Sequence, residues 1–90
     1  MTTLKELKSR ILSRDITNIA RAALLRQYAC IAYYQMSVSF SSAVKAVRLL
    51  TLCEAAAREL EEKMRGYPPE YGVRYLEKIS ESDTLFLSFE

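Results

Sequence analysis

An all-α bundle is what this chain predicts, on three observations. Gly and Pro occur twice each in 90 residues, so little interrupts a helix. The frequent residues, Ala, Leu, Glu, Lys and Arg, are the strongest helix formers. Apolar residues recur at spacings of three and four along most of the chain. We read one domain over residues 1–90: a small helical bundle built on a long antiparallel hairpin of its second and third helices, with a short N-terminal helix, a short C-terminal helix and an extended C-terminal tail.

The first helix is expected over about 3–13. Thr3 and Glu6 have the capping-box spacing, in which hydroxyl and carboxylate satisfy backbone N–H groups at a helix start. Leu4, Leu7 and Ile11 then form one stripe. Between Ser13 and Thr17 the apolar phase shifts, and Ser13, Asp15 and Thr17 are each competent N-caps. A kink or short break is expected there; the alternative is one helix from Thr3 to Met36, about 50 Å long.

The second helix, about 16–36, contains Tyr28-Ala-Cys-Ile-Ala-Tyr-Tyr34 without a charge, so it is expected to be central and covered on several sides. It ends at Ser37-Val-Ser-Phe-Ser-Ser42, where serines favour turns and caps. The third, about 42–65, stops at Gly66, read as a left-handed cap, with Pro68 beyond it. Its positions Ala46, Leu50, Cys53, Ala57, Leu60 and Met64 read as the hairpin seam. Glu54, Arg58 and Glu62 mark the opposite face, and Glu59–Lys63 and Glu61–Arg65 are i,i+4 pairs. Alanines on both helices permit close approach.

Tyr67-Pro-Pro-Glu-Tyr71-Gly72 is read as punctuation before a short helix at about 73–80 carrying Val73, Leu76 and Ile79. The tail over 84–90, with Leu85, Phe86, Leu87 and Phe89, is too apolar to be solvated; we expect it to lie back over the helices, the alternative being an extended segment that docks on a partner.

Composition excludes more than it assigns. With no His and no CxxC, a zinc site lacks ligands, and no cofactor is expected. Without His, a Gly-rich phosphate loop or GxSxG, the chain is expected not to be an enzyme. Arg21 and Arg26 interrupt the apolar run, so no membrane span is expected, and the N-terminus lacks a secretory signal; the expected location is cytoplasmic. Cys30 and Cys53 are expected to be small buried hydrophobes, their pairing undecidable from spacing.

Residues 1–48 carry eight Lys or Arg against two acids, while residues 49–90 carry five against nine. The two halves are thus suited to attract each other, or the first is suited to nucleic acid. The expected function is a protein-interaction or assembly module, a homodimer formed through the hairpin, with Tyr28, Tyr33, Tyr34, Leu85, Phe86, Leu87 and Phe89 as interface candidates. No small-molecule substrate is expected. The alternative is nucleic-acid binding through Lys5, Lys8, Arg10, Arg14, Arg21 and Arg26, with tyrosines to stack on bases. Pro68-Pro69-Glu70-Tyr71 resembles the PPxY ligand of WW domains, but a helix stop and restart explains the same letters.

Two further likenesses concern the hairpin. Tyr34, Phe40, Ala43, Val47 and Leu50 resemble the hairpin of tetratricopeptide-type or microtubule-interacting-and-trafficking modules, without the usual Gly and Pro of those repeats. The hairpin followed by Gly66-Tyr-Pro-Pro and a short helix resembles the HEPN helical domains. Those nucleases need a His that is missing here, so that likeness implies only a partner-binding version.

Overall fold

The computed structural model describes residues 3–36 and 40–87. They form four helices in chain order: α1 (Leu4–Ile11), α2 (Asn18–Met36), α3 (Phe40–Glu62) and α4 (Pro69–Ser82). No strand occurs among the described residues. The α2/α3 hairpin is the centre, and α1 and α4 both lie against α2.

α1 starts as its sequence requires. Thr3 is the N-cap, its Oγ1 accepting from Glu6 N at 3.1 Å, and Leu4, Leu7 and Ile11 are all buried. The break before α2 is real and short. Ser13 Oγ accepts from Asp15 N (3.1 Å), turning the chain, and Thr17 caps α2 through Ala20 N–H donating to its Oγ1 (3.1 Å).

α2 and α3 contribute 19 and 23 residues, about 28 and 34 Å at the α-helical rise. Their seam is built from small residues on both sides. Ala22, Leu25, Ala29 and Ala32 meet Ala46, Leu49, Cys53, Ala56, Ala57 and Leu60, all buried, so the backbones approach closely. Of the expected seam positions, Leu50 and Met64 are only partly buried; Leu49 takes the core place that Leu50 was expected to fill. α2 is not covered all round either, because Ala23, Gln27, Cys30 and Tyr34 are exposed on one side.

The α3–α4 junction differs most from expectation. α3 ends at Glu62, three residues early, and neither glycine has a positive φ, so Gly66 is no left-handed cap. Met64 N–H and Lys63 N–H instead both donate to Glu59 O (3.2 and 2.9 Å). α4 begins at Pro69 rather than near residue 73. Pro68, with φ −55° and ψ 145°, occupies the cap position and Pro69 the first helical position, where proline's missing N–H costs nothing and its fixed φ is already helical. The Pro-Pro pair thus starts a helix and is not an extended ligand, and Gly72 lies inside α4.

Asp83 ends α4 with an extended backbone, φ −136° and ψ 110°. The following turn folds back: Leu85 N–H donates to Asp83 Oδ1 (3.0 Å), Phe86 N–H to Asp83 O (3.2 Å), and Ser80 Oγ–H to Phe86 O (3.2 Å). Phe86 and Leu87 are both 2% exposed. Leu87 has φ 55°, the left-handed region that a branched side chain rarely adopts.

The whole has a radius of gyration of 12.5 Å, close to the roughly 12 Å of a compact chain this size. Two long helices alone would be a rod. Folding α1 and α4 along them broadens the rod, and the extents of 40 × 27 × 20 Å keep the long axis of the hairpin.

Candidate protein-interaction face

The six candidate cations divide into three environments. Arg21 is fully buried. Its guanidinium has five N–H donors, and each finds an acceptor. Nε–H donates to Asn18 Oδ1 (3.3 Å), Nη1 to Ile11 O and to Ser13 O (2.8 Å), and Nη2 to Ile16 O and Pro69 O (both 3.1 Å). Asn18, also buried, donates from Nδ2 to Met64 O (2.9 Å) and Tyr67 O (3.3 Å). This pair ties the end of α1, the start of α2 and both sides of the α3–α4 turn together. Arg21 is therefore a structural staple rather than a phosphate contact; burial pulls its pKa down, and four main-chain carbonyls and one amide oxygen offset the lost hydration.

Arg26 bridges the hairpin. Nε and Nη2 donate to the Glu54 carboxylate (2.9 and 3.2 Å), and Nη1 and Nη2 to that of Glu61 (2.7 and 2.9 Å). Arg58 adds a 3.3 Å contact to Glu54. The Arg26 hydrogen bonds hold both carboxyls below the usual range, and the two carboxylates raise Arg26. This is the attraction between a basic first half and an acidic second half, realised here and again where Arg48 pairs with Asp83.

Lys5, Arg10 and Arg14 are exposed and Lys8 half-buried. Lys5 and Lys8 share a shallow depression of about 290 Å³ with Ser9 and Leu12. Arg10 falls on another side of α1 by its register, and Arg14 lies in the turn, so the expected basic series is not one continuous surface.

The aromatic candidates divide as well. Tyr28 is fully buried in the core, as its spacing within the central helix requires, and offers nothing to a partner. Tyr33 is half-buried and Tyr34 78% exposed, their rings edge to face at 6.2 Å. Leu85 is half-buried and, with Phe86 and Leu87, is committed to the turn against the core; Phe89 lies outside the described residues.

What sequence reading missed is a surface on α3. Val44 and Val47 are 58% and 53% exposed, and Thr51 and Ala55 continue the same face past exposed Arg48, whose charge is paired with Asp83. A groove of about 240 Å³ beside it is lined by Arg26, Ala29, Cys30, Leu50 and Glu54. It continues past Leu50 and Glu54 into a wider one, about 600 Å³, with Thr51, Ala55 and Arg58. The antiparallel topology brings Tyr33 and Tyr34, at the end of α2, to the same end as Val44 and Val47. The signal was present in the spacing of 44, 47, 51 and 55, but Glu54 and Arg58 nearby made the whole side read as charged.

Cys30 is exposed and free, against the expectation that it is buried, because it falls on the open side of α2; Cys53 is buried and free. Burial pushes the Cys53 thiol up to about 12. Among the described residues no group of three or more His, Cys, Asp or Glu is placed to hold a metal, and no helix is long and apolar enough to cross a membrane. Against this geometry stand the comparisons with known proteins: no family model, no curated protein and no solved structure matches the chain.

Proposed function

We propose that this chain is a non-enzymatic assembly module that pairs with a second copy of itself through the open side of the α2/α3 hairpin. The observation that carries the reading is the exposure of Val44 and Val47 on a helix whose other side is fully packed. Unpartnered apolar surface bordered by polar groups is the usual mark of a protein interface.

A second copy fits better than an oppositely charged partner. Arg26 and Arg58 are paired with Glu54 and Glu61, and Arg48 beside Val47 with Asp83, so most of the charge bordering two identical faces is compensated within each copy. The hairpin side is about 30 Å long and two helix diameters, about 20 Å, wide. That area, on the order of 600 Å² before surface relief, approaches the ~800 Å² per partner of a standard interface. The two free cysteines, one exposed, suit a reducing compartment such as the cytoplasm.

Light scattering coupled to size exclusion tests this, at low and high salt, with the 260/280 nm absorbance ratio read on the same peak. A dimer at both salts is expected, converted to monomer by Val47→Glu with helical circular dichroism unchanged. A wild-type monomer overturns the reading. A monomer that carries nucleic acid only at low salt replaces it with phosphate binding through Lys5, Lys8, Arg10 and Arg14.

A further inference from the structure

The two ends of α4 are held by different physics. At its start, Pro69 O accepts from buried Arg21, and Gly72 lies directly against Asn18 and Arg21. Val73 and Leu76 follow, both buried. Beyond them no residue of α4 is fully buried: Ile79 and Ser80 are half-buried, and Ile79 lines a groove of about 460 Å³ with Tyr75 and Leu52 of α3. A second space of about 370 Å³ lies among Lys45, Arg48, Ser82, Asp83, Thr84 and Leu85.

Hydrogen bonds to Asp83 and Ser80 fasten the Asp83–Leu87 turn to α4. An ion pair crosses to α3: Arg48 Nη2 to Asp83 Oδ2, 2.6 Å, with the Arg48 side chain 64% exposed. The seating of Phe86 and Leu87 in the core completes the closure.

We propose that the distal half of α4 and the Asp83–Leu87 turn form a hinged flap. It pivots on the Arg21–Asn18–Gly72 anchor, is latched by Arg48–Asp83, and on opening uncovers the Leu52 side of α3. A latch with one partner in solvent is screened by salt, whereas the buried anchor is not. Burial of Phe86 and Leu87 sets the baseline of opening, and ionic strength shifts it by a small factor without loosening the rest of the fold.

Amide hydrogen exchange on the full chain, at low and high salt, reads this directly. Asp83→Asn keeps an acceptor for Leu85 N–H and removes the charge, and Arg48→Gln removes the other. Each is expected to speed exchange over residues 77–87 about two- to fivefold, the range an exposed pair commands. The amides of α2 and of Val73 and Arg74 are expected to be unchanged. The double variant should match either single one, and high salt should reproduce the effect in the wild type alone. Phe86→Ala, which leaves the ion pair intact, should speed the same amides further. Exchange of residues 77–87 in step with α2 in all forms, or distal rates indifferent to both charges and to salt, overturns the flap.

Discussion

Gly72 and Asn18 stand so close that a Cβ on Gly72 would overlap Asn18 Oδ1 and lie 2.7 Å from Arg21 Nε. A helix-weakening residue is thus kept inside α4 at the one place where the chain brings a buried amide and a buried guanidinium against helix backbone. Asn18 cannot step aside without releasing its bonds to Met64 O and Tyr67 O.

Gly72→Ala is therefore expected to destabilise the fold by about 1–3 kcal/mol through overpacking, although the same change on a free helix surface stabilises by up to about 1 kcal/mol. Arg21→Met, which strands the carbonyls of Ile11, Ser13, Ile16 and Pro69, should cost more, about 3–5 kcal/mol. Urea unfolding followed by circular dichroism measures both. A neutral Gly72→Ala would show that α4 is not seated on Asn18. Arg21→Glu is for the same reason unsuited as a probe of nucleic-acid binding, since it would damage the fold first.

The Arg26 network predicts a direction with pH. Glu54 and Glu61 are held below the usual carboxylate range in the folded chain, so near and below the unfolded value, about 4.3, the unfolded state binds more protons. The stabilisation is present above that value and lost as pH falls through the lower folded values. The urea midpoint should drop as pH falls below about 5, and Arg26→Met should flatten part of that slope. An identical slope in the variant would mean that other carboxylates govern acid unfolding.

The two thiols should separate by burial. Native protein at mildly alkaline pH is expected to take up one equivalent of a thiol reagent, at exposed Cys30, and a second only in denaturant, because Cys53 is enclosed and its thiol lies near 12. Cys30→Ser should abolish the fast phase. In a dimer formed through the hairpin, uptake at Cys30 should slow as protein concentration rises, since the thiol lies in the groove beside Leu50.

Local signals were enough for the helices and their starts. The Thr3–Glu6 spacing, the stripe Leu4, Leu7 and Ile11, and the phase shift before Thr17 each act within a turn or two of chain, where capping and periodicity are decided. The return of the tail was also legible, because Leu85, Phe86 and Leu87 are too apolar to stay in water. Which of the surface features serves a partner was not. Tyr28 and Tyr33 are five residues apart in the same uncharged run, yet one is core and the other half-open; only the positions of α1 and α3 around α2 separate them.

By itself, then, the chain determined an all-helical architecture and the α2/α3 pairing, since these depend on composition and on spacing along one helix, and it left open whether its basic half meets its acidic half or a phosphate. Tertiary structure alone decided that Arg21 is a buried staple, that Gly72 belongs inside a helix rather than before one, and that Arg26 joins Glu54 and Glu61. Each of those includes a contact between groups 28 to 54 residues apart in sequence, where charge and propensity carry no distance information until the helices have packed.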